Sequence, residues 1–358
     1  MMALDDVAGT QDTRGKGGQD EGELAERRDT VPRRRRSDSS APLDRLDTAL
    51  SAFHLAERTY RARDTASLHR TGAAIHALNG ALLDCEEASI DPDLLRAKVS
   101  GARLMHRRSE LCRRLQDWPR GYPGDWESID YLLDGINRTP EEDFGYALEQ
   151  HALWCAASQQ HRNKVAHQTM LFDRLISRKP TARVLSIACG GSRDLASLVH
   201  RANDFRGTIV LNDADGSALD VSLARLAPFG DRCIRVQGSA LNVVTQAAHF
   251  GPYDLVVAGG LFDYLNDALA IRLLRELYRK CVAVDGTLLF TNIATDNPYR
   301  PWMSYMGSWT LLERGEEALV RLCQRAAIPV EGIHVKREGT RLAWLIEIRK
   351  DARWADPA

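Results

Sequence analysis

Ala182-Arg183-Val184-Leu185-Ser186-Ile187-Ala188-Cys189-Gly190-Gly191-Ser192-Arg193-Asp194 is a short apolar run that ends on paired glycines and passes into a segment of helical period, 192–203. That switch from a buried strand to a helix across a glycine turn is the opening unit of an α/β fold. It repeats downstream. GTIVLNDAD (207–215), CIRVQGS (233–239), YDLVVAGG (253–260), GTLLFTNI (286–293) and RLAWLIEIR (341–349) are further short apolar runs. Helical periods at 216–227, 267–283 and 315–326 lie between them. Strands alternating with helices imply right-handed crossovers and a mostly parallel, doubly wound sheet covered on both faces. Residues 177–350 are therefore expected to form one α/β domain.

Ligands of such sheets bind beyond the carboxyl ends of the strands, where the strand order switches. The first strand ends in Ala188, Gly190, Gly191 and Asp194, where glycine lets backbone approach a ligand and the next helix presents its amino terminus. Adjacent glycines followed by Arg193 and Asp194 do not make a dinucleotide fingerprint, so pyrophosphate is disfavoured. Asp213, with Asp215 as the competing candidate, stands where an acceptor-only carboxylate receives both hydroxyls of a ribose; a plain helix cap is the alternative. Ser239 and Ala240 could meet an adenine edge. Gly260, Leu261, Phe262 and Tyr264 follow the fourth strand beside the expected reacting centre, although Phe262 and Tyr264 serve equally well as core. Asp194 is either a contact to the cationic end of the cofactor or a charge complementing a helix terminus. Order and spacing together point to S-adenosylmethionine.

Upstream the pattern is different. Residues 43–176 are helical in period, as in 43–63 and 67–84, and Asp91-Pro92 supplies an N-cap and first-turn proline for a helix expected to run to Trp118-Pro119. RGYPGD (120–125) reads as a turn, and one long amphipathic stretch is expected over about 140–176. Residues 1–42 carry almost no large apolar side chains and are expected to be a disordered tail, with a short second tail at 351–358. Arg33-Arg34-Arg35-Arg36 in the long tail is either a solvated charge run or a contact for phosphate or an acidic partner.

The chain has 358 residues, 48 basic against 49 acidic, and 44% hydrophobic residues. Near-zero net charge argues against a nucleic-acid-binding protein. The basic residues are 41 Arg and 7 Lys, a bias that follows genome composition more often than binding. No apolar run approaches a membrane span and the first residues lack a signal-peptide core, so a cytoplasmic protein is expected. Seven cysteines lie 27 or more residues apart, without the spacing of a metal or redox motif, as buried thiols in a reducing compartment would. No metal site is expected, and a homo-oligomer is left open.

Four segments carry a resemblance: RGYPGDW (120–126), Arg162-Asn163-Lys164, GLFDYL (260–265) and NPYRPWMSYMGSWTLLER (297–314). Together with the strand ends they resemble the class I S-adenosylmethionine-dependent methyltransferases, and among these the family that makes 3-hydroxypalmitic acid methyl ester, over about residues 110–345. The resemblance implies a Rossmann-like sheet behind an all-helical cap, S-adenosylmethionine as cofactor, and an acceptor held by cap and loops. Two positions depart from the family pattern: Ser304 stands where a Glu follows the Met, and Glu313 where a Tyr precedes the Arg. On this reading Tyr122, Arg162 and Arg300 are the candidate catalytic residues. Tyr122, Gly124, Asp125, Tyr264, Asn292, Trp309 and Arg314 are the candidates for the lid and the acceptor pocket, and the tryptophans suit packing better than stacking.

Methyl transfer from a sulfonium is an in-line displacement, so the enzyme chiefly aligns the reactants. A carboxylate acceptor is already ionised and needs no base, whereas hydroxyls and amines more often do. The loop after the fourth strand offers no His or Lys, which favours a carboxylate on a fatty-acyl, amino-acid or peptide-like metabolite. N- or C-methylation of a specialised metabolite, and a non-catalytic module that binds S-adenosylmethionine or a partner, are the competing readings.

Overall fold

The computed structural model describes residues 40–354. The Arg33–Arg36 run lies outside the described residues, with the rest of 1–39 and with 355–358; where tails were expected, Ser40, Ala41 and Pro42 form the first turn of a helix and Ala352–Trp354 a turn of 3-10 helix.

Seven helices come first: α1 (Ser40–Arg58), α2 (Thr65–Glu87), α3 (Pro92–His106), α4 (Glu110–Asp117), α5 (Trp126–Asp134), α6 (Phe144–Trp154) and α7 (Ala156–Arg178). Asp91 caps α3 through the amide of Asp93, with Pro92 in its first turn. The single helix expected from Asp91 to Trp118 is two. It breaks at Arg107–Ser109 because a Cβ on Gly145 of α6 would lie 2.4 Å from the Arg108 backbone, so α6 presses against this turn. Ser109 restarts the helix by accepting from the amide of Cys112, and donates to buried Glu149 at 3.0 Å. The stretch expected to be one helix over 140–176 is likewise two, α6 and α7, separated at Cys155 in extended conformation.

Strands and helices then alternate through β1 (Arg183–Ile187), α8 (Arg193–Ala196), β2 (Thr208–Asp213), α9 (Gly216–Arg225), β3 (Cys233–Gln237), α10 (Ala240–Ala248), β4 (Tyr253–Ala258), α11 (Asp267–Glu276), β5 (Val282–Ile293), α12 (Glu316–Arg325), β6 (Ile333–Arg337) and β7 (Ala343–Arg349). They form one seven-stranded sheet in the order β3-β2-β1-β4-β5-β7-β6. β7 runs antiparallel between β5 and β6, and the other pairings in β3-β2-β1-β4-β5 are parallel. The strand order reverses between β1 and β4, the point at which sheets of this kind bind their ligands. Sequence patterning did not reveal β6: IHVKR at the sheet edge alternates half-buried with exposed residues.

The helical core and the sheet core interlock. Trp302, Met303, Tyr305, Met306 and Trp309, which follow β5 in the chain, are buried among α1–α6 residues such as Phe53, Leu78 and Phe144. Trp302 donates from its indole to His106 of α3 at 3.0 Å, and its amide donates to Asn79 of α2 at 2.9 Å. The helical cap thus extends beyond residues 43–176 by borrowing the segment after β5.

Candidate active site

The face at the carboxyl ends of β1 and β2 is built mostly from backbone. Ala188, Gly190 and Ser192 take positive φ of 49°, 52° and 48°, so left-handed residues alternate through the β1–α8 loop, the arrangement of a concave amide nest. α8 is only four residues long, so the loop rather than a long helix dipole shapes this end of the crevice. The Gly190 amide donates to Asp213 Oδ2 at 2.9 Å, and the Asp215 amide donates to Asp213 Oδ1 at 2.9 Å. Each carboxylate oxygen keeps a lone pair for a further donor. Burial raises the pKa of Asp213, offset in part by the amides of Asp215 and Gly190.

Asp215 does different work. Its Oδ1 caps α9 through the amide of Ser217, and its Oδ2 accepts from Arg120 at 3.0 Å. Asp194 is buried, which pushes its pKa up to about 6. Ser192 Oγ is buried without a hydrogen-bond partner. Ser239 is the N-cap of α10 but makes no side-chain capping bond, and Ala240 begins that helix. A Cβ on Gly260 would meet open space. A carboxylate with spare acceptor capacity, an unpaired buried hydroxyl and an unobstructed glycine are what a nucleoside-bearing ligand at these strand ends requires.

The turn at 120–126 spans this face. Tyr122 lies 3.4 Å from Asp215 Oδ2, and Trp126 packs on Gly190, where an added Cβ would touch at 3.4 Å. Gly124, at φ +66°, is pressed against the far end: a Cβ there would lie 2.3 Å from the Tyr264 hydroxyl and 2.8 Å from the Trp309 ring. Trp309 in turn donates to the Tyr264 hydroxyl at 2.8 Å. Asp125 anchors the turn, capping α5 through the Ser128 amide and accepting from Arg114 at 2.6 Å. One short segment therefore reaches from Asp215 to the loop after β4.

Several candidate residues stand elsewhere. Arg162 was a candidate for catalysis, but its guanidinium donates to the Leu153 carbonyl at 2.8 Å and lies over Trp154, within the cap. Arg300 is held by Glu86 of α2 at 2.7 Å and faces Glu313 at 3.8 Å. Arg314, a candidate anion contact, is buried and donates to the Phe262 and Leu265 carbonyls and to Asn292 Oδ1 at 2.7 Å. Asn292 spends its amide on the Ile293 and Leu312 carbonyls. These side chains fold the loop after β4 onto β5. Phe262 packs on Phe290, with ring centroids 4.4 Å apart, and is core. Gly191 is crowded by Arg225, whose Nη1 would lie 2.2 Å from an added Cβ, so its smallness serves that contact.

The sequence pattern marks the helix that contains α7, and Arg162-Asn163-Lys164 in it, but not the polar residues of its buried face. Along its buried face Gln160, His161, Lys164, His167 and Gln168 precede Phe172 and Ile176, so the half nearest the cap is polar and the half under the sheet apolar. His161 stacks on Trp309 at 5.3 Å, and its Nε2 has no hydrogen-bond partner. Lys164 Nζ is 3.8 Å from Asp263 Oδ2. The Gln168 amide lies 2.3 Å from where a Cβ on Gly259 would stand. Polar residues at helical spacing on a core-facing side were the available signal. Among the described residues no cluster of three or more His, Cys, Asp or Glu is arranged to hold a metal, and no helix is long and apolar enough to cross a membrane.

This sheet, with its antiparallel seventh strand inserted beside the fifth, is a Rossmann-like doubly wound α/β sheet behind a helical N-terminal region. A Bordetella parapertussis protein described as a possible exported protein shares the fold at a TM-score of 0.55 and 19% identity, over 81% of this chain and 100% of that one. Magnesium protoporphyrin IX methyltransferase from Synechocystis, solved with S-adenosylhomocysteine, is similar at 12% identity and TM-score 0.41, over 55% of this chain and 88% of that one. An O-methyltransferase family protein from Burkholderia thailandensis is similar at 15% identity and TM-score 0.40, over 57% and 63%. The likeness to the Bordetella protein is one of fold. No family model matches the chain, and no curated protein matches it.

Proposed function

We propose that this protein is an S-adenosylmethionine-dependent O-methyltransferase that esterifies a carboxylate of a small metabolite. The observation that carries the reading is Asp213, held at the end of β2 by the amides of Gly190 and Asp215 with lone pairs to spare. It stands beside the reversal of strand order, where a ribose would present its hydroxyls.

When bound, S-adenosylmethionine supplies a methyl group activated by positive sulfur. Asp213 would hold the ribose, the 188–194 loop the methionyl part, and the residues from Gly238 to Ala240 the base. The turn at 120–126 excludes water above them and carries the acceptor wall formed by Tyr264 and Trp309. A carboxylate acceptor loses no proton in the reaction, so these residues need only fix its direction of approach.

The cap's apolar interior and the near-neutral charge of the chain suit a small molecule rather than a nucleic acid as acceptor. The described cysteines are all free thiols, in keeping with a cytoplasmic enzyme. The test is direct. Calorimetric titration is expected to show binding of S-adenosylmethionine and S-adenosylhomocysteine, and methyl-labelled product is expected to release methanol in mild base. Label that resists base would assign N-, C- or ether methylation instead, and binding without turnover across an acceptor panel would assign a non-catalytic role.

A further inference from the structure

Behind Trp309 lies a partly open cavity of about 30 Å³, room for a group the size of one or two waters such as a carboxylate head, lined by Leu111, Leu115, Met303, Met306, Trp309 and His161. Its wall is apolar apart from the residues contributed by α7. His161 is 7% exposed, and an imidazole nitrogen without a partner at that depth is costly unless something supplies one. Of the other polar groups nearby, Trp309 donates to Tyr264, Lys164 faces Asp263, and Arg162 gives one terminal nitrogen to backbone carbonyls. The other terminal nitrogen of Arg162 has no partner, but this side chain does not line the cavity. Gln160 also carries unpartnered amide atoms, but it does not line this cavity.

We propose that His161 is a further catalytic residue of this site, whose Nε2–H donates to one oxygen of the acceptor carboxylate and leaves the other free to attack. The inference rests on the carboxylate reading above. In that step a carboxylate oxygen bonds to the methyl carbon, and the carbon–sulfur bond breaks with its electron pair going to sulfur. The negative charge of the acceptor and the positive charge of the sulfonium vanish together, and no proton is transferred. A neutral donor suits this chemistry better than a guanidinium, because a tight ion pair would hold the electron density that must attack. Burial, with Lys164 and Arg162 close by, keeps His161 neutral by lowering its pKa well below the usual imidazole value. Its stacking on Trp309 fixes the ring in line with the turn at 120–126.

The experiment uses the full chain and a panel of monocarboxylic acids, butanoate through decanoate with benzoate and phenylacetate. His161→Phe is expected to lower kcat/KM about 30-fold, the loss of one hydrogen bond to a charged group, while S-adenosylmethionine affinity stays within about twofold. His161→Gln, which keeps an N–H at similar reach, is expected to recover most of that loss. As a readout independent of turnover, calorimetric affinity for the same acids with S-adenosylhomocysteine bound should fall in His161→Phe and return in His161→Gln. Wild-type kcat/KM in His161→Phe overturns the proposal. A His161→Gln variant as inactive as His161→Phe, with unaltered cofactor affinity, overturns the donor role in favour of a base. A base-stable product from the wild type would instead defeat the carboxylate reading on which the proposal rests.

Discussion

The two halves of the candidate site are made in different ways. The half proposed for the cofactor is assembled from strand ends, each shaped by its own few residues: Ala188, Gly190 and Ser192 by left-handed backbone, Asp213 by two amides. The half proposed for the acceptor gathers side chains from distant parts of the chain, with Gly124, His161, Tyr264 and Trp309 meeting in one layer. Conformation is local in the first half and convergent in the second. The first should therefore tolerate changes in the cap, and the second should depend on how the cap is seated.

That contrast can be broken experimentally. The largest expected effect is Gly190→Arg: a left-handed glycine packed on Trp126 has no place for a long side chain, and cofactor affinity should fall about a hundredfold or more by calorimetry. A near-normal affinity would mean the loop does not form the cofactor face. Next comes Arg314→Met, which leaves the Phe262 and Leu265 carbonyls and Asn292 without their donor in a buried loop. Stability measured by urea unfolding should drop by about 2–4 kcal/mol. A loss of acceptor binding with full stability would restore Arg314 to the acceptor pocket.

Asp213→Ala should weaken S-adenosylmethionine binding by about 1.5–3 kcal/mol, roughly 10- to 150-fold, with unaltered melting of the cap. The smallest effect expected is a pH dependence. Asp194, pushed up to about 6 by burial, carries its charge only above that pH, so affinity for the cationic methionyl end should decline as pH falls through 6. For stability the sign is reversed: a carboxyl whose folded pKa exceeds its unfolded value stabilises the fold below the unfolded value and loses that contribution as pH rises through 6. Asp194→Asn should flatten both profiles, in calorimetric titrations and in melting curves taken from pH 5 to pH 8.

Legibility followed the same division. The α/β order, the largely parallel sheet and its crevice were readable because buried strands announce themselves as short apolar runs between glycine and acidic turns. β6 escaped because an edge strand buries little. The break at Arg107–Ser109 escaped because a contact across the cap, not local propensity, interrupts an otherwise continuous helical pattern, and the one at Cys155 because a single extended residue leaves the period on either side intact. Arg162, Arg300 and Arg314 are residue types that suit anion binding, and nothing near them in the chain shows that carbonyls and carboxylates of the fold already occupy them.

What this sequence determined by itself is the set of elements and the strand ends, because periodicity and backbone preference act over a few residues. What only the tertiary structure decided is which side chains remain unsatisfied once the elements pack. His161 looks like any polar residue on an amphipathic helix until Trp309, nearly 150 residues later, closes over it and the cap shuts out water. Hydrogen-bond satisfaction is a property of the whole packed chain, and so the chemistry available at the acceptor end could be read only there.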